Sequence, residues 1–214
     1  VHKGNGVQII YGPRVTVVKS NLEDYLETAP DELYEPKAEE KQQSRAASAA
    51  DDKKAEGKLI KTEMIACPVN GVAADLSEAP DEAFAGRMMG DGAIVTPKEP
   101  KVFAPEDGEV NFVFETKHAI GFTTASGTEL LLHMGIDTVK LGGQGFEVFV
   151  KDGDKVKKGD LLMQLDLAYL TANAPSLASP VLCTELSDNQ KIRLIKSGSI
   201  KAGEDLFAID TYEE

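Results

Sequence analysis

The chain has 214 residues, 42% of them hydrophobic, enough to bury a core in one generous domain or two small ones. With 19 Gly, 10 Pro and no Trp, the composition favours many short elements over long helices. A formal net charge of −13 makes nucleic acid and anionic membrane surfaces unfavourable partners.

From the front, Val7 to Ile10 and Val15 to Val18 are β-branched runs around Tyr11-Gly12-Pro13-Arg14, the pattern of two strands and a turn. Leu22, Tyr25 and Leu26 then have helical spacing behind Ser20 and Asn21, either of which suits a cap. So small a β/α piece cannot bury a core alone, so residues 1–28 read as the tail of a domain cut from a longer chain. The opening at Val1 rather than Met points the same way. From Pro36 to Lys58 there is no Val, Ile, Leu, Met or aromatic residue, which predicts a flexible linker over 29–60.

From residue 61 to 214 the texture changes to short apolar runs divided by Gly, Asp-Gly and Pro. Expected strands are Met64 to Ala66, Ala93 to Thr96, Lys101 to Ala104, Gly108 to Phe114, His118 to Thr123 and Glu129 to Met134. Further along come Phe146 to Val150, Leu161 to Asp166, Pro180 to Cys183 and Asp205 to Ile209. Leu167 to Ala174 predicts a helix that Pro175 ends. Such spacing indicates an all-β sandwich or barrel rather than alternating βα units. Between Val150 and Leu161 the Asp-Gly-Asp pattern suggests a calcium loop, but Val156 stands where an oxygen ligand is needed. Cys67 and Cys183 are far apart, which argues against a disulfide framework or zinc ribbon and for two buried small hydrophobes. No run of about 18 apolar residues and no basic-then-apolar leader occurs, so a soluble cytoplasmic piece is expected.

Of three histidines, His2 lies in the front piece, leaving His118 and His133. If the strand from Phe112 runs on unbroken, Phe114, Thr116 and His118 share one face, with a hydroxyl beside an imidazole. His133 lies in Glu129-Leu130-Leu131-Leu132-His133-Met134-Gly135, a run apolar on both faces and so a central strand. Two readings of His133 stay open on these residues. One is a core histidine bonded to a backbone carbonyl. The other is a neutral imidazole held at one nitrogen and presented to an electrophile at the other. Phosphoryl transfer suits the second, because its catalysis is mostly positioning and charge neutralisation. Gly135 would permit a close backbone approach, or simply end the strand.

Six segments in order give the sequence a family resemblance. They are Ala66-Cys67-Pro68-Val69-Asn70-Gly71, Pro80-Asp81-Glu82-Ala83-Phe84-Ala85, Gly90-Asp91-Gly92, Ala104-Pro105-Glu106-Asp107-Gly108, Phe114-Glu115-Thr116-Lys117-His118-Ala119 and Leu132-His133-Met134-Gly135-Ile136-Asp137-Thr138-Val139. Together they resemble the glucose-type IIA family of the bacterial phosphoenolpyruvate-dependent sugar phosphotransferase system over about Ile60 to Ile209. Gly4-Asn5-Gly6-Val7-Gln8-Ile9-Ile10-Tyr11-Gly12-Pro13 similarly resembles the end of a IIB domain.

The resemblance implies an antiparallel β-sandwich, a barrel-sandwich hybrid of the duplicated hybrid motif type with short helices and a small N-terminal β/α remnant. It implies a phosphotransferase that takes phosphate from HPr onto Nε2 of His133 and gives it to a IIB cysteine. His118 would bond the phosphate, and Thr116 would hold the His118 ring. Phe84 and Phe114, with Ile120 and Met134 as secondary candidates, would form an apolar docking collar, and Asp81 and Asp137 would lie near the site. No cofactor is implied, beyond an adventitious or regulatory zinc at the histidine pair. The chain would work at the cytoplasmic face of the membrane, attached only through a IIC domain. Met134 and Lys117 depart from some relatives without removing a nitrogen or hydroxyl from this chemistry.

Other functions fit less well. A zinc hydrolase would need a third protein ligand, and no His-x-His or His-Glu-x-x-His occurs. A lipoyl or biotinyl carrier needs a lysine at a hairpin tip, and Asp152-Gly153-Asp154 offers none. Gly142-Gly143-Gln144-Gly145 is too short to cradle a dinucleotide. A regulatory docking module, read by its phosphorylation state, is an alternative that the linker would suit.

Overall fold

Apolar runs bounded at both ends by turn residues can form strands but not long helices, and strands dominate. The computed structural model describes residues 57–213. The remnant expected at 1–28 and nearly all of the linker expected at 29–60 lie outside the described residues. Among those described are thirteen strands, two short α-helices and two 3-10 turns.

β1 (Leu59–Ala66), β13 (Asp205–Tyr212) and β11 (Gln190–Leu194) form one antiparallel sheet with β13 in the middle. β1 therefore starts two residues before the expected domain boundary at 61. The larger sheet runs in the order β12 (Gly198–Ile200), β2 (Val69–Asp75), β3 (Asp91–Phe103), β10 (Ser179–Cys183), β6 (Glu129–His133), β5 (Ala119–Thr124), β4 (Gly108–Val113) and β8 (Lys155–Val156). β9 (Leu161–Leu165) joins it through β3, and β7 (Phe146–Val148) pairs with β9. These are antiparallel ladders of a β-sandwich, as expected.

Several expected elements take a different form. Ala93 to Thr96 and Lys101 to Phe103 belong to one strand, β3, despite Pro97 and Pro100 between them, and the expected Ala104 lies just past its end. The prolines are tolerated because β10 pairs only with Asp91 to Val95 and β9 only with Lys101 to Phe103. The stretch between has one side of its ladder free, where a missing N–H costs little. β2, β8, β11 and β12 lie outside the expected set. α1 (Glu82–Ala85) starts at the Asp81 cap, and α2 (Leu167–Asn173) fills the expected helix. Ala174 is extended, as the residue before Pro175 prefers.

Around Asp152 the carboxylates hold turns. Val113 N–H donates to Asp152 at 2.8 Å, Lys151 N–H to Asp154 at 3.0 Å and Lys157 N–H to Asp160 at 2.8 Å. Local backbone groups thus use the oxygens that a calcium loop would direct at an ion.

The centre of the larger sheet is buried on both faces. Ala93, Val95, Ile120, Phe122, Leu130, Leu132, Val181 and Cys183 face the main core. Their alternate neighbours Ile94, Ala119, Leu131 and Leu182 face a second, smaller cluster with Leu76, Ala79, Phe84, Ile136 and Ala178. Cys67 and Cys183 are buried free thiols, each pushed up to about 11 by burial. The second cluster is the floor on which the histidines stand.

Candidate functional site

Strand pairing brings the two histidines together across 15 residues of sequence. Ala119, the first residue of β5, stands opposite His133, the last of β6. His118 is the next residue back, and its carbonyl accepts the Met134 N–H at 2.8 Å. The rings lie edge to face, with centroids 4.8 Å apart and planes at 81°.

The expected continuous strand from Phe112 to His118 is not what places Thr116. β4 ends at Val113, and a tight turn follows in which Lys117 N–H donates to Phe114 O at 2.7 Å. Lys117 itself adopts φ +55°, in the left-handed region. The turn delivers the same neighbours by another route. Thr116 Oγ1 lies 2.7 Å from His118 Nδ1, and the Phe114 ring is 5.2 Å from the His118 ring.

His133 Nδ1 lies 2.9 Å from the Gly135 carbonyl. A carbonyl only accepts, so Nδ1 carries the proton and Nε2 keeps its lone pair. For His118 the partner is a hydroxyl, which can donate or accept, so either tautomer is open to it. Among the described residues neither Nε2 has a hydrogen-bond partner, and no buried side-chain nitrogen or oxygen goes unpaired. The two free Nε2 atoms therefore have access to solvent, although only 4% of His118 is exposed.

Both rings are held neutral. Burial, with His133 close by, lowers His118 to about 4. Burial also lowers His133, against the opposing pull of the Gly135 carbonyl and the Asp81 and Asp137 carboxylates. A neutral imidazole with an available lone pair is a nucleophile at pH 7, and a protonated one is not.

Asp81 accepts N–H bonds from Ala83 and Phe84 and so caps α1. That cap holds the Phe84 ring 5.1 Å from the His133 ring. Phe84 is 8% exposed and sits in the second cluster, so most of its surface is floor rather than rim. Phe114 is half-buried and stacks edge-on against Phe112 at 5.3 Å. Asp137 is exposed, in the left-handed region at φ +59°, and pairs with Lys140 at 2.6 Å. Ile120 and Met134 do not join a collar. They are 0% and 1% exposed and face the main core, because on a strand buried on both faces apolar character does not tell the site face from the core face.

Some neighbours of the site carry no chemical signal in the sequence. Phe112 covers Gly121, where a Cβ would lie 2.3 Å from the ring, and so anchors the aromatic pair beside His118. Thr138, Ser176 and Ser179 hold the turn after His133 through bonds to Met134, Ile136 and Gly135. Ser176 and Ser179 lie in Ala174-Pro175-Ser176-Leu177-Ala178-Ser179-Pro180, which by sequence is an ordinary approach to a strand.

The two imidazoles could offer a metal two nitrogens. Among the described residues no group of three or more His, Cys, Asp or Glu side chains is placed to hold an ion.

The chain is similar to proteins of one known family. The family model for the phosphoenolpyruvate-dependent sugar phosphotransferase system, EIIA 1, matches residues 63–189. The PTS system glucose-specific EIICBA component of Staphylococcus saprophyticus is 43% identical over 192 residues, covering 87% of this chain. The chain spans 26% of that relative's length. The glucose permease IIA from Mycoplasma capricolum superimposes with a TM-score of 0.65 at 38% identity, covering 70% of this chain and 96% of that structure. Nothing in these matches supports a zinc hydrolase.

Proposed function

This chain belongs to the EIIA 1 family of the phosphoenolpyruvate-dependent sugar phosphotransferase system, and from that premise we propose that Nε2 of His133 is the atom that receives the phosphoryl group in sugar uptake. The observation that carries this assignment is the pair of neutral rings, each tied at Nδ1 and free at Nε2, with centroids 4.8 Å apart.

The donor is phosphorylated HPr. The Nε2 lone pair of His133 attacks phosphorus, the N–P bond forms, and the bond to the donor breaks with its electron pair returning to the donor. In the second step a IIB cysteine thiolate attacks, an S–P bond forms, and the N–P pair returns to Nε2. His133 keeps its Nδ1 proton on the Gly135 carbonyl throughout, so neither step needs a proton moved on this ring. His118 presents Nε2–H to the phosphate oxygens, and that role selects its tautomer, with Thr116 Oγ1 donating to Nδ1. Neutral rings avoid the cost of a buried charge before phosphate arrives. No nucleotide or other cofactor takes part.

Phe114 and the exposed edge of Phe84 form the apolar docking surface, and Asp81 and Asp137 give it the acidic rim that a basic donor would meet. The relative named EIICBA joins C, B and A components. On that plan residues 59–214 are the IIA part, 1–28 the end of a IIB part and 29–58 the linker, with membrane association supplied by IIC at the cytoplasmic face. No described helix is long and apolar enough to cross a membrane.

The test is incubation with phosphoenolpyruvate, enzyme I and HPr. One phosphate that is labile in acid and stable in base is expected, and His133→Ala removes it. Phosphate still appearing on that variant would contradict the assignment.

A further inference from the structure

The carbonyl that fixes His133 belongs to the residue with the least intrinsic rigidity in the site. Gly135 has no side chain and sits at φ +76°. Left alone, the peptides on either side of it could rotate at little cost. In the fold, all four polar groups of those two peptides are engaged.

The Gly135–Ile136 peptide gives its carbonyl to His133 and its N–H to Ser176 O at 2.9 Å. The Met134–Gly135 peptide is held by two side chains instead. Its N–H donates to Ser179 Oγ at 3.0 Å, and its carbonyl accepts from Thr138 Oγ1 at 2.7 Å. Both side chains are sealed in, at 1% and 0% exposure. The Ser179 hydroxyl proton is committed to Leu177 O at 2.9 Å, so a lone pair is left facing the Gly135 N–H. A substitute Cβ at Gly135 would lie 2.7 Å from Thr138 Cγ2, so the threonine packs directly against the turn.

We infer that Ser179 and Thr138 are positioning residues that grip the Met134–Gly135 peptide at both ends and thereby decide which nitrogen of His133 is left free. With that grip released, rotation about the Gly135 N–Cα bond becomes easy, and such a rotation swings the Gly135 carbonyl off Nδ1–H, which loses its acceptor. An unheld imidazole prefers its proton on Nε2, the nitrogen that must stay bare to attack. Buried hydroxyls two steps from the ring thus set its tautomer, as outer partners do for histidines that bind metals. The inference takes its purpose from the carrier reading of His133, while its geometry stands apart from that reading.

The test uses the full chain with ¹⁵N-labelled histidine, reading the ring tautomer of His133 by two-bond proton–nitrogen correlation. The unaltered protein is expected to be Nδ1–H. Ser179→Ala and Thr138→Val should each move part of the population to Nε2–H and slow loading from HPr by about tenfold, with little change in the KM for HPr. Thr138→Ser, which keeps the hydroxyl, should restore both readings. Should Ser179→Ala fail to fold, Thr138→Val keeps side-chain size and carries the test. A folded variant of either kind that stays fully Nδ1–H overturns the proposal, as does Thr138→Ser behaving like Thr138→Val. An unaltered chain that takes no phosphate would instead count against the carrier reading alone.

Discussion

The two ends of the β5–β6 hairpin use polar groups in opposite ways. At the turn end, Glu63 reaches over from β1 and accepts hydrogen bonds from Ser126, from Thr128 at 2.9 Å and from Thr124 at 3.4 Å. Its other oxygen meets Lys61 at 3.2 Å. Burial alone would raise this carboxyl, but the bonds from Ser126, Thr128 and Lys61 prevail and hold it below its ordinary value. At the open end stand His118 and His133, each with one ring nitrogen bonded and one bare. A satisfied polar cluster ties two sheets together, while one with spare bonding capacity is prepared for something else to complete it.

Gly135→Ala should have the largest effect on this contrast. It forces a Cβ into a left-handed conformation and against Thr138, costing roughly 2 to 4 kcal/mol in denaturant unfolding and removing phosphate loading with it. Loading at the normal rate would show that the Gly135 carbonyl is not what prepares His133. Next, His118→Gln should slow onward transfer to IIB by about a hundredfold while slowing loading from HPr much less. Equal losses in both steps would deny His118 a role at the phosphate.

Acid separates the two ends further. The folded value of His118 is lowered to about 4, below the ordinary 6.5. As pH falls through that window the unfolded chain takes up a proton that the fold refuses, so stability drops by up to about 3 kcal/mol by pH 4. His118→Gln should flatten this slope. Glu63 is also depressed, so its contribution is present above the usual carboxyl range and disappears only at lower pH. Glu63→Gln should therefore leave the slope between pH 6.5 and 4 in place, cost about 1 to 2 kcal/mol at neutral pH and not affect phosphate transfer. A transfer defect in that variant would mean that the two ends are coupled.

The histidine pair was legible in the sequence because its chemistry lies in residue types. Thr116, His118 and His133 meet as expected, even though Thr116 arrives on a turn rather than a strand. What was hidden depends on which way a side chain faces. Ile120 and Met134 turn to the main core because β5 and β6 are buried on both sides, where alternation carries no information. β3 was split in two by prolines that only the pairing pattern makes harmless. β11 alternates Lys191, Ile192, Arg193 and Leu194 and could have been found, whereas β2, interrupted by Asn70 and Gly71, is held chiefly by its pairing with the next strand, β3. The hydroxyls of Thr138 and Ser179 act through a glycine peptide, and no residue spacing announces that.

The convergence of two rings on one phosphate can be tested directly by ¹⁵N and ³¹P NMR on the phosphorylated chain. Phosphorus is expected on Nε2 of His133, with the Nε2–H of His118 slowed in exchange by its bond to a phosphate oxygen. Phosphorus on Nδ1 or on another residue, or a His118 Nε2–H that exchanges as it does before loading, would contradict the account.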